Sequence, residues 1–186
     1  MNYQRLLSHF LFIIQLSAFA VTANAQTVYA YNSFKIRVSE ASVIKITPST
    51  PITVYMNATV AGGDLSNSPN SDSYLKLTSI VDQGGKRKVE AAITTGKAPD
   101  GTLLKLYASP CTTGSGTFGS VDPEITLQPN VNKRIIYNIR SCYTGNGPTD
   151  GYNLTYTWML DPNNLSKLKA FTTNAAFVTF TISSHW

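Results

Sequence analysis

The chain has 186 residues, 42% of them hydrophobic and 13% charged, with a formal net charge of +5. That length suits one ordinary domain. The low charge content excludes a coiled coil or a charge-driven disordered chain, and the mild basicity is not that of a dedicated nucleic-acid binder.

The first 25 residues predict an export signal. Arg5 precedes a largely apolar stretch over residues 6–21, and Ala23-Asn24-Ala25 places small residues where signal peptidase cuts. The expected organisation is a signal peptide over 1–25 and a single β-sandwich domain over 26–186. Ser8, His9, Gln15 and Ser17 break the apolar run, which argues against a transmembrane anchor. The expected location is outside the cytoplasm: periplasm, cell surface or extracellular.

Beyond the signal, apolar and polar residues alternate with period 2, and Tyr, Thr and Val are abundant, as strands prefer. Phe34, Ile36 and Val38 share one face, with Lys35 and Arg37 on the other. Further strands are expected over 43–47, 74–81, 88–93, 103–108, 134–139, 152–159 and 177–182. Asp64 to Ser73 is rich in Ser and Asn and is expected to be a mobile loop. Gln83-Gly84-Gly85, between two strand-like runs, predicts a β-hairpin. A helical turn is expected near 163–170, capped by Asn163 or Asn164, with Leu165 and Leu168 on one face. No alternation of long helices and strands suggests a parallel α/β sheet. The expected fold is all-β: a single antiparallel sandwich of about eight or nine strands.

Cys111 and Cys142 both follow the signal. In an exported protein, two cysteines most simply form one disulfide, and closing a ring of about 32 residues stabilises by roughly 3–4 kcal/mol in the chain-entropy model. Their separation and the lack of paired histidines do not fit a zinc site.

Catalytic chemistry finds few footholds. Gly114-Ser115-Gly116-Thr117-Phe118-Gly119 matches a dinucleotide fingerprint by letters only. Pro110-Cys111 precedes it, and Val121-Asp122-Pro123 stands where a helix should start. His9 leaves with the signal and His185 is the second-last residue, where chains fray, so a Ser-His-Asp triad lacks a placed base. Asp122 and Glu124 read as a solvated loop pair. No catalytic residue, cofactor or metal is expected. Asn57, Asn153 and Asn164 head N-x-Ser/Thr triplets that matter only in a glycosylating host.

Two contact surfaces are candidates. Lys86-Arg87-Lys88 is the densest basic cluster, suited to protecting a sheet edge or to meeting an anionic surface. On residues 152–158, Tyr152, Leu154, Tyr156 and Trp158 alternate with Asn153, Thr155 and Thr157. The aromatic face is expected to point into the core. The opposite orientation would make Tyr156 and Trp158, with Tyr143, glycan contacts.

The segments Pro99-Asp100-Gly101-Thr102-Leu103, Ser141-Cys142-Tyr143-Thr144-Gly145, Gly151-Tyr152-Asn153-Leu154-Thr155-Tyr156 and Val178-Thr179-Phe180-Thr181-Ile182 resemble a group of small secreted bacterial proteins with immunoglobulin-like or pilin-like sandwiches. The resemblance spans roughly residues 74–182 and carries no catalytic residues. It implies a non-enzymatic periplasmic or surface structural protein, fimbria-like or an adhesin accessory. Such a protein joins copies of itself or other surface proteins by strand addition. The last strand is similar to the closing strand of fimbrial subunits, although His185-Trp186 stands where their penultimate Tyr is usual. A carbohydrate-binding sandwich module is the alternative.

Overall fold

The computed structural model describes residues 34–58, 60, 61, 63, 65–67, 69–170 and 175–185. The chain divides into two units, Met1–Arg37 and Val38–Trp186. Of the first, only residues 34–37 are described; the expected signal peptide lies outside the described residues.

The second unit is all-β. Its strands are β1 (Ala41–Thr47), β2 (Met56–Ala58), β3 (Leu65–Asn67), β4 (Asn70–Ile80), β5 (Arg87–Gly96), β6 (Thr102–Ala108), β7 (Ser115–Gly116), β8 (Ser120–Val121), β9 (Ile125–Thr126), β10 (Lys133–Ile139), β11 (Cys142–Tyr143), β12 (Tyr152–Leu160) and β13 (Ala176–Ser184). One sheet has seven strands in the order β7-β11-β4-β12-β6-β9, with β1 also paired to β4. Tyr74 and Leu75 pair with β1 and with β12 at once, so β1 lies on the opposite edge of β4. A second sheet runs β13-β5-β10-β8, and β2 and β3 form a separate ribbon. Every strand pair is antiparallel.

The two large sheets share one core, as alternation on facing strands requires. Leu75 and Leu77 of β4, Leu106 of β6, and Tyr152 and Leu154 of β12 meet Val89 and Ile93 of β5 and Ile136 and Ile139 of β10. Glycines close the seams. Gly114 has φ +80 and lies against the Tyr143 carbonyl, where a side chain would collide. Lys76 is buried, with its ammonium donating to the carbonyls of Asn146 and Gly147. It pins the loop before β12.

Seven of the eight expected strands are present, and six further pieces of two or three residues are too short to leave a period in the sequence. Residues 34–38 are not a strand. The segment is exposed, and among the described residues the alternation there has no strand to pair with. The expected hairpin at Gln83-Gly84-Gly85 is a tight turn, closed by Gly85 N–H to the Asp82 carbonyl at 3.2 Å, but it joins strands of different sheets. β4 has β1 on one edge and β11 and β12 on the other, so no edge remains for β5.

The polar stretch expected to be a loop supplies the start of β4. Ser73 pairs with Leu154 and Asn70 with Tyr156. Polar cross-strand bonds hold it there: Ser71 Oγ lies 2.9 Å from Thr155 Oγ1, and Asn153 Nδ2 donates to the Ser71 carbonyl at 2.6 Å. The expected helical turn is a 3-10 turn over Leu165–Lys167. Asn164 occupies the cap position, but its side chain binds Asp161 Oδ2 at 2.8 Å instead of capping.

Candidate functional site

The cysteines sit at the margin of the core. Cys142 on β11 is buried, and Cys111, in the loop after β6, is half-buried. Both are free thiols; the expected disulfide is not formed. The Cys111 sulfur turns back into its own loop and donates to the Thr113 carbonyl at 3.3 Å. Burial and the neighbouring Cys111 push the Cys142 thiol up to about 11. A thiol so protonated is a poor nucleophile at neutral pH.

The glycine fingerprint contains β7 and leads into β8 rather than into a helix, so it has no phosphate-binding geometry. Asp122 and Glu124 do not act as a pair. Arg134 grips Asp122 with two hydrogen bonds of 2.7 and 2.9 Å, while Lys105 holds Glu124 at 3.0 Å. His185 does not fray: its N–H donates to the Lys86 carbonyl at 2.9 Å, and its ring meets Tyr137 edge-on.

The basic cluster is divided. Arg87 reaches Glu40 at 3.5 Å and the Ile80 carbonyl at 3.4 Å. Lys88 pairs with Glu90 at 2.9 Å. Among the described residues Lys86 makes no ion pair.

The candidate glycan residues do not share a surface. Tyr156 is buried, Trp158 is half-buried and Tyr143 is exposed on β11. The aromatic face of β12 does point inward, with Tyr152 and Leu154 fully buried. Tyr152 donates its hydroxyl to the Phe118 carbonyl, and burial holds the hydroxyls of Tyr152 and Tyr156 far above the ordinary phenol range.

What the molecule does leave open is backbone and apolar surface of one kind. Phe34 is 81% exposed, Ile36 87% and Val38 73%, on a segment that is neither strand nor helix. Two long strands also keep an edge without a partner among the described residues: β1, which pairs only with β4, and β13, which pairs only with β5. These strands run close to each other, so the two free edges lie on the same side of the sandwich. The side chains there are incompletely covered. Ile44 and Ile46 of β1, and Val178, Phe180 and Ile182 of β13, pack on the core but are only partly buried. No carboxylate or lysine from the strand interior guards β13, whose outward face carries Phe177, Thr179 and Thr181. An edge of this kind invites a further strand.

Sequence reasoning missed this site because period 2 reports which residues share a face and says nothing about which strand ends at an edge. No protein-family model, curated protein or solved structure matches the chain.

Proposed function

We propose that this chain is a non-enzymatic structural protein, exported by a bacterium to its periplasm or surface, which joins copies of itself or other surface proteins by strand addition. The immunoglobulin-like, pilin-like resemblance supports the reading. The observation that carries it is the segment 34–38: a strand pattern in the sequence, exposed, and paired with no strand among the described residues. The edges of β1 and β13 that lack a partner among the described residues, on strands whose Ile44, Ile46, Val178, Phe180 and Ile182 are only partly covered, are the matching acceptor. Phe34, Ile36 and Val38 from another copy would enter the apolar side, leaving Lys35 and Arg37 in water.

Burying each apolar side chain gains about 1.5–3 kcal/mol, while ordering each residue costs about 1–2 kcal/mol. The balance is modest, so association should depend on concentration. Sedimentation of the chain from Gln26 onward tests this. Concentration-dependent oligomers, lost in Ile36→Asp, are expected. A monomer at every concentration, together with no binding of a synthetic peptide of residues 34–40, would overturn the proposal.

A further inference from the structure

The Gly-rich loop and the basic cluster, neither of which strand addition uses, meet in one place. A surface depression of about 520 Å³ is lined by residues that include Lys86, Phe118, Ser120, Asn138 and Arg140. Two of these side chains are cations, and no carboxylate lines the depression. Among the described residues neither Lys86 nor Arg140 makes an ion pair, whereas Arg87 and Lys88, next in the chain, are both neutralised by glutamates. The division follows from the strand. Lys86 lies at the entrance of β5 on the side of the β7–β8 loop, and the next two residues turn to Glu40 and Glu90.

Two like charges in one concavity, with no counter-charge, repel each other, and an anion placed between them relieves that repulsion. The other lining groups restrict which anion fits. Asn138 and Ser120 add hydrogen-bonding residues to the lining, and Phe118, half-buried against the core, adds an apolar one. The volume is in the range of small-ligand sites and exceeds what a bare inorganic ion needs. The loop that forms the wall is held rigidly. Thr117 N–H donates to the Ser141 carbonyl, Arg140 N–H donates to the Thr117 carbonyl at 3.0 Å, and the Phe118 carbonyl accepts the buried Tyr152 hydroxyl. A site built on such a wall is preorganised.

We infer that this depression binds an acidic saccharide, with a carboxylate or sulfate group between Lys86 and Arg140 and a sugar ring against Phe118. The reading is independent of strand addition, since neither the free edges nor residues 34–38 take part.

Calorimetric titration of the chain from Gln26 onward tests it, with three probes: a uronate-containing sulfated disaccharide, a neutral disaccharide and inorganic sulfate. The acidic disaccharide should bind and weaken as salt is raised, and the neutral one should not. Lys86→Ala and Arg140→Ala should each lower its affinity about tenfold or more, the loss expected for one charge-assisted contact. Arg140 is exposed and Lys86 is half-buried outside the core, so the melting temperatures of both variants should stay close to the parent's. Because Cys111 also lines the depression, the acidic disaccharide should slow its alkylation. Equal binding of inorganic sulfate, equal binding of the neutral sugar, no binding of any probe, or unchanged affinity in both variants would each overturn the inference.

Discussion

Strands β12 and β13 are both nine residues long and both alternate apolar with polar residues. On β12, Tyr152 and Leu154 are completely buried and Tyr156 nearly so. On β13 no residue is buried; Ala176, Val178, Phe180 and Ile182 face the core but stay partly open. The difference lies in position. β12 is flanked by β4 and β6, and β13 has β5 on one edge and no described partner on the other. Alternation decides which way a side chain points, and the number of flanking strands decides how deep it goes. The open depth at β13 is what an added strand could fill.

The contrast can be broken most directly by truncation in the closed region. Tyr152→Ala should cost about 3–5 kcal/mol, the range for a large buried aromatic, read from the midpoint of urea unfolding. Tyr152→Phe should cost less, since only the hydroxyl bond to the Phe118 carbonyl is lost.

Alkali probes the same region without mutation. The Cys142 thiol is raised from the usual 9.0 to about 11. An acid held protonated by the fold stabilises fully below its unfolded pKa, and that stability is lost as pH climbs from about 9 through about 11, because the unfolded chain releases the proton first. The expected loss is on the order of 2 kcal/mol. Cys142→Ala should flatten that limb of the pH-stability curve. An unaltered slope would show that Cys142 is not shielded as its place in the core requires.

At the edge, Phe180→Ala should cost only about 1–2 kcal/mol in the monomer, because the side chain is already partly exposed. A loss as large as that of Tyr152→Ala would erase the distinction between the two strands. The smallest effect belongs to residues 34–38. Phe34→Asp should leave monomer stability within about 0.5 kcal/mol, as surface changes usually do, while lowering self-association.

Much of this architecture was legible in the sequence. The long strands announce themselves by period 2, and Tyr152 and Leu154 by their polar neighbours. The partnerships did not. Gln83-Gly84-Gly85 carries every sign of a hairpin, yet the edges of β4 are filled by strands from distant parts of the chain. Asn70 to Ser73 reads as a loop because its hydrogen-bonding groups are polar, and those same groups fasten it to Asn153 and Thr155. Lys86-Arg87-Lys88 reads as one patch, but Arg87 and Lys88 find different glutamates, Glu40 and Glu90, while Lys86 faces the depression beside the β7–β8 loop. The disulfide expectation rested on two thiols and a compartment, and nothing in the spacing could reveal that Cys111 turns toward Thr113.

The turn that passes from one sheet to the other has a consequence in time. β4 finds β1 early, but the partner of its other edge comes late, and so does the β13 partner of β5: Leu75 waits for Tyr152, and Ala91 for Phe180. Loops of this length must close before such pairings give any return, so folding should be slow, on the scale of milliseconds to seconds. As the chain is made, β10 can cover one edge of β5, but the other edge stays bare until the final strand follows. A growing chain therefore passes through a stage in which one edge of β4 and one edge of β5 are open together, and only the last strand closes the second.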